Sequence, residues 1–168
     1  DSAGRVCASF RKFFNLGQPP GPREEDLPAN GFSAHDKMDG SLGILFKHQG
    51  IVRLSTRGSF DSPQAEVGRQ MLAALYPRLP ALLAEGDSVM AEIIHPSNRI
   101  VLDYKGASGL FVLGWFRWNG GDPVDLPWPE VEALAEAAGM PTAAAFEIGS
   151  LRDVVASVAA MDWTREGF

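Results

Sequence analysis

The sequence predicts an α+β fold in which antiparallel sheets carry helices on their outside. Three observations lead there. Leu42 to Lys47 and Ile51 to Thr56 flank His48-Gln49-Gly50 and read as a β-hairpin. Ser88 to Ile94 and Leu110 to Trp118 are apolar runs of strand length. Helical spacing or helix-start signals stand at Asp61-Ser62-Pro63, at Pro129 and at Ser150.

Ser2 to Phe14 reads as a strand or two with a turn at Gly4. Gln18 to Asn30 is rich in proline, glycine and charge and reads as a surface loop, since it can hold neither a helix interior nor a central strand. Phe32 to Lys37 leads into the hairpin. Asp61-Ser62-Pro63 starts a helix, with an N-cap followed by proline in the first turn. Val67, Met71, Leu72 and Leu75 keep helical spacing up to Tyr76, with Met71 in the core, and Pro77 ends the run. Pro80 to Gly86 is a short helix or loop. Ser88 to Ile94 is a strand, His95 to Arg99 a turn, and Ile100 to Tyr104 another strand. Leu110 to Trp118 is apolar on both faces as far as Trp115, which predicts a central position. Pro129 to Ala138 is a helix closed by Gly139. Ser150-Leu151-Arg152-Asp153 is a capping box opening a helix to about Met161. These last two helices read as packing elements, and the four tryptophans as core or rim.

The chain has 168 residues, enough for one domain with a real core. Its net charge of −6 argues against gripping a long polyanion by bulk electrostatics, so any nucleic-acid contact must be local or lie on another segment. A single cysteine, Cys7, excludes an internal disulfide and a cysteine zinc site and fits the reducing cytoplasm. No apolar run is long enough to span a bilayer. The three histidines lack metal-site spacing, and there is no P-loop, nucleophile elbow or dinucleotide fingerprint.

Chemistry concentrates in Lys37-Met38-Asp39-Gly40-Ser41. Asp-Gly is a strong turn signal with strands beside it, which places Lys37 at a strand end or tight turn. A lysine held in a partly dry site beside other cations loses its proton more easily and can act as a nucleophile. The same motif also fits a solvated lysine on a surface hairpin. Arg11-Lys12-Phe13-Phe14 fits an anion-binding edge or a solvated strand end. Thr56-Arg57-Gly58-Ser59 fits a phosphate-binding turn, with Gly58 supplying close approach or positive φ, or a plain polar turn. Glu92 is an acid within an apolar strand: buried and paired, or solvent-facing on an edge.

Taken with Glu166-Gly167-Phe168, these motifs resemble the nucleotidyltransferase domain of ATP-dependent RNA ligases of the phage T4 RNA ligase 1 type. Arg11-Lys12-Phe13-Phe14-Asn15-Leu16-Gly17 and Pro96-Ser97-Asn98-Arg99-Ile100-Val101 point to this branch. DNA ligases and capping enzymes share only the lysine motif. The resemblance implies an ATP-grasp-like nucleotidyltransferase core and a three-step reaction: a lysyl-AMP intermediate, AMP transfer to an RNA 5′-phosphate, and sealing to a 3′-hydroxyl. It implies Lys37 as the nucleophile, Lys12, Asp39, Gly40, Arg57 and Glu92 as nucleotide-binding residues, and Glu166 as a ligand of Mg²⁺ or Mn²⁺. Arg57 stands where the family usually has lysine, which keeps the charge but not the shape. Residues 1–168 would be one adenylyltransferase domain truncated at both ends. An upstream Arg-Gly motif, a Lys-x-Lys motif and a C-terminal domain would lie outside it, and the stretch alone is expected to be impaired without them. A nucleotide- or RNA-end-binding module without turnover, or a DNA ligase or capping-type transferase, are the alternatives.

Overall fold

The computed structural model describes residues 4, 6–28, 32–98, 102, 104–118, 121–146 and 148–160. In chain order its strands are β1 (Ala34–His35), β2 (Ser41–His48), β3 (Ile51–Thr56), β4 (Ser88–Ile94), β5 (Gly109–Arg117), β6 (Val124–Asp125) and β7 (Ala145–Phe146). Its helices are α1 (Pro63–Leu75), α2 (Leu79–Leu82), α3 (Trp128–Ala138) and α4 (Leu151–Ala159). Two 3₁₀ turns stand at Glu24–Asp26 and Pro96–Asn98. No helix among the described residues is long and apolar enough to cross a membrane. By its internal contacts the chain falls into two units, Asp1–Ser9 with Asp39–Thr142, and Phe10–Met38 with Ala143–Phe168.

The first unit is built on a five-stranded antiparallel sheet in the order β3-β2-β4-β5-β6. The hairpin forms because Gln49 and Gly50 both take positive φ, 53° and 75°, as a two-residue turn matched to strand twist requires. The face carrying Leu45, Leu54, Val89, Ala91, Ile93, Leu110 and Trp115 packs in one core with Ala65 and Met71 of α1 and Val131, Ala135 and Ala138 of α3. Those side chains alternate along the strands, as the pleat dictates. In β5 the alternation breaks: Ala91 pairs Val112 while Met90 pairs Gly114, so Leu113 is an extra residue. This bulge lets Val112 and Trp115, three positions apart, both reach the core face.

The helix signals hold. Ser62 caps α1 by accepting the Ala65 N–H, and proline opens the helix. Gly139 closes α3 with φ 76°. Ser150 caps α4, accepting from Asp153 N at 3.2 Å. Met71 is in the core and Trp115 is fully buried.

Several expectations need correction. Residues 6–15 form no strand, although Gly4 does take a left-handed φ of 77°. The strand placed at Ile100 to Tyr104 is absent at Leu102 and Tyr104, and its other residues lie outside the described ones. β5 is not the centre of the sheet. That place belongs to β4, all seven of whose residues are buried, whereas β5 has on its far side the two-residue β6 and an isolated parallel bridge from Val112 to Thr142. α4 buries none of its described residues, so it is not the packing element expected.

The second unit is sparser. Its strands β1 and β7 are two residues each, with Ala34 opposite Phe146 and His35 opposite Ala145. The described part of the proline-rich loop is a chain of turns with no buried residue, as its composition predicted.

Candidate functional site

The candidate residues of the first unit gather at one end of its sheet. There β2 begins, β3 and β4 finish, and β5 begins: Ser41 lies opposite Ile93, Leu42 opposite Glu92, Gly43 opposite both Ala91 and Thr56, and Ile94 opposite Gly109.

Glu92 projects from β4 on the face away from α1 and α3, with Leu42 and Phe111 as its cross-strand neighbours. It is 9 % exposed, so of the two readings the buried and paired one holds. Its Oε1 accepts the Gly40 N–H at 3.0 Å, a bond spanning 52 residues of sequence. The sheet register makes this bond: Gly40 directly precedes the β2 residue that pairs with Ile93.

Gly40 is glycine for want of room. A Cβ there would lie 2.5 Å from the Ile93 carbonyl oxygen and 2.9 Å from Ile94 Cδ1. The Asp-Gly pair is therefore not a hairpin turn. It is the tight lead-in to β2, laid across the end of β4. Asp39 is 6 % exposed. Its N–H donates to the Tyr104 hydroxyl at 2.8 Å, and its Oδ2 accepts the Leu102 N–H. Ser41 Oγ donates to Asn98 Oδ1 at 3.1 Å, while Asn98 Nδ2 donates to the Ile93 carbonyl at 3.0 Å. The end of the lysine motif is thus clamped to residues of the segment 92–98 and to Leu102 and Tyr104. Sequence reasoning missed Tyr104, because a hydroxyl acting 65 residues away leaves no local pattern.

Arg57 follows the last residue of β3 at the same end of the sheet, and it is exposed. Thr56 closes the turn beneath it: its N–H and its hydroxyl both donate to the Ser59 carbonyl, at 2.9 and 3.1 Å. The Arg57 side chain is therefore displayed on a hydrogen-bonded turn, open to solvent. Of the two things expected of Gly58, a left-handed φ is absent, while a Cβ there would meet nothing within 4 Å, so the space beside its backbone is open.

Lys12 and Lys37 belong to the second unit. Lys37 lies two residues after β1, beyond the Asp36 N–H that donates to the Ala144 carbonyl at 2.9 Å. It does follow a strand end, but its side chain is exposed and not in the partly dry setting expected. Lys12 is exposed, with Nζ 5.0 Å from the centroid of the Phe14 ring. That contact restrains the ammonium and leaves its charge open to an anion. Glu166 lies outside the described residues. Among the described residues no group of three or more His, Cys, Asp or Glu side chains converges on one point.

Comparison with known proteins follows the same lines. Residues 3–168 match the profile of a family described as RNA ligase. A curated protein of Thermovibrio ammonificans assigned as an RNA ligase is 36% identical over 106 residues, which is 61% of this chain and 28% of that protein. The fold is similar to that of a solved archaeal ATP-dependent RNA ligase (form 2). The TM-score is 0.58 and the identity 22%, over 76% of this chain and 34% of that one. The chain thus spans about a third or less of the length of these relatives.

Proposed function

The chain belongs to the RNA ligase family, and from that premise we propose that it is the adenylyl-accepting part of an ATP-dependent RNA ligase with Lys37 as its nucleophile. In this reading the unprotonated Lys37 Nζ attacks the α-phosphorus of ATP. A P–N bond forms, the bond to the β-phosphate oxygen breaks, and pyrophosphate leaves. The oxygen of an RNA 5′-phosphate then attacks the same phosphorus, takes AMP and frees the lysine. Finally a 3′-hydroxyl attacks the activated 5′-phosphorus, and AMP leaves as the phosphodiester closes.

The observation that carries the reading is the Gly40–Glu92 hydrogen bond. It ties the end of the lysine motif to the buried acid, so that two motifs far apart in sequence form one built corner of the sheet. Preorganised groups of this kind are what transfer at phosphorus requires, since most of the stabilisation is positional and electrostatic. Glu92 and Asp39 would hold the nucleotide's surroundings in place. Arg57 and Lys12 would meet the phosphates, each as an exposed cation. Arginine at 57 offers two parallel N–H donors where lysine offers a point charge, which suits a phosphate edge.

A divalent metal bound with ATP would neutralise the charge building on the phosphates. The carboxylates of Asp39 and Glu92 are each engaged by a backbone N–H. The family resemblance makes Glu166 the candidate carboxylate, and with phosphate oxygens and water it would give a donor set that suits Mg²⁺, which takes few carboxylates.

The test is covalent labelling. The full-length protein incubated with α-labelled ATP and Mg²⁺ should retain label through a denaturing gel, and Lys37→Ala should lose all of it. Label that survives Lys37→Ala overturns the assignment. A wild-type protein that binds ATP yet never takes label is a binding module without turnover, the reading that arginine in place of lysine at 57 would favour.

A further inference from the structure

The turn that displays Arg57 is tied down by a second arginine. Arg69 lies on α1, and its guanidinium reaches back toward the start of the helix. Nη1 donates to the Phe60 carbonyl at 2.5 Å and to the Leu54 carbonyl of β3 at 3.4 Å. Nη2 donates to Glu66 Oε2 at 2.7 Å, one helical turn back on the same face. Glu66 also accepts from Gln70 Nε2 at 3.0 Å. The bonds from Arg69 and then Gln70 hold the Glu66 carboxyl below its ordinary range, so this partner of Arg69 stays ionised. One side chain thus joins the strand end, the turn and the helix, all within the first unit.

The hydroxyls complete the frame. Thr56 gives its hydrogen to the Ser59 carbonyl, so the Ser62 hydroxyl is the donor across the 3.1 Å between the two side chains. Ser62 Oγ in turn accepts the Ala65 N–H at the helix start. The Asp61 N–H donates to Ser59 Oγ at 3.0 Å. The segment 56–62 is therefore bonded along its whole length.

The two arginines differ in what they have left to offer. The Arg69 guanidinium is already engaged by two carbonyls and a carboxylate. Arg57 is exposed, and among the described residues no hydrogen bond or ion pair engages it. A long free side chain loses rotamer freedom when it grips a ligand. The backbone it starts from can be fixed beforehand, and that lowers the cost of binding.

We infer that Arg69 is a positioning residue for ATP: it anchors the 56–60 turn to α1, so that Arg57 meets the phosphates from a fixed backbone. This rests on the proposed function, which gives Arg57 to the phosphates, and adds the residue that sets its aim. Arg69 touches no phosphate itself. Loosening the turn weakens the hold on ATP. It leaves the attack by Lys37 alone, because a contact equally strong in ground and transition states moves the half-saturating concentration and not the maximal rate.

The experiment measures the rate of covalent labelling of the full-length protein over a range of α-labelled ATP, with Mg²⁺. Arg69→Gln should raise the half-saturating ATP concentration about fivefold and keep the maximal rate within about twofold of the wild type. Thr56→Val, which keeps the shape of the side chain and removes the hydroxyl, should raise it about threefold. Arg57→Ala should raise it about twentyfold. Adding Arg69→Gln or Thr56→Val to Arg57→Ala should then change nothing more, since both act through Arg57. Val67→Ala is the control: it trims an α1 side chain packed on the core, away from the turn, and should leave the half-saturating concentration as it was.

A wild-type half-saturating concentration in Arg69→Gln overturns the inference. So does a shift of the same factor with and without Arg57, which would mean that Arg69 acts elsewhere. An equal shift in Val67→Ala would trace the effect to lost stability and overturn it too. A wild type that takes no label overturns the proposed function and this inference with it. Label that depends on Lys37 but not on Arg69 overturns this inference alone.

Discussion

At each end of the five-stranded sheet a glutamate accepts a glycine N–H, and the two bonds have different consequences. At the hairpin end Glu85 accepts from Gln49 N at 2.5 Å and from Gly50 N at 3.1 Å. At the other end Glu92 accepts from Gly40 N at 3.0 Å. The chemistry is the same, but Glu85 is exposed and Glu92 is buried. Water can replace what Glu85 supplies. Water replaces Glu92 less easily, because the carboxylate is buried and the Gly40 N–H is only partly open to solvent, so losing the bond leaves part of its desolvation cost uncompensated. The glycines differ in the same way. Gly50 is needed for its φ of 75°, with open space around it, whereas Gly40 is needed because the Ile93 backbone lies where a side chain would go. One end stabilises a turn, and the other builds a rigid corner beside the lysine motif.

The contrast can be broken from either side. Gly40→Ala should have the largest effect, about 3 kcal/mol lost in urea unfolding, since the clash is with the Ile93 backbone carbonyl and cannot swing away. A loss under about 0.5 kcal/mol would mean that the corner is not tight. Glu92→Ala should lose about 2 kcal/mol by the same measurement, from the orphaned Gly40 N–H. Gly50→Ala should lose about 1 kcal/mol, the strain of a left-handed non-glycine residue, with no steric part. If it costs as much as Gly40→Ala, the two ends do not differ as described.

The smallest effect is a pH dependence at Glu85. The Gly50 N–H, then the Gln49 N–H, hold its carboxyl below the usual carboxylate range. A group whose folded value is depressed adds stability above its unfolded value, near 4.3, and loses it as the pH falls through the folded value. The stability gap between wild type and Glu85→Gln should therefore be open at neutral pH and close below about pH 4. A gap that widens in acid would contradict this origin.

The two ends also differ in how far they could be read in advance. The hairpin was legible because its signals are local: a glycine in the turn and apolar runs on both sides. The starts of α1 and α4 and the stop of α3 were legible for the same reason, each being one residue's bond or φ. The lysine-motif corner was only half legible. The residue types stood out and Asp-Gly read as a turn beside strands, but that this turn is laid across the end of β4 and pinned by Glu92 depends on partners far away in sequence. Residues 6–15 carry apolar and charged residues in strand-like order yet find no partner strand among the described residues. β7 escaped notice, and β1 was anticipated only as a strand end before Lys37, because two residues carry no period to detect.

The sequence by itself determined the class of the fold, the hairpin, the helix ends and the family, because caps, turns and motifs act over a few residues. Only the tertiary structure decided that β4 and not β5 lies at the middle, that Gly40 is pinned by Glu92, and that Asp39 is held by Leu102 and Tyr104. Those bonds span 52, 63 and 65 residues. A contact of that reach depends on how strands line up in register, and no window of sequence contains both partners.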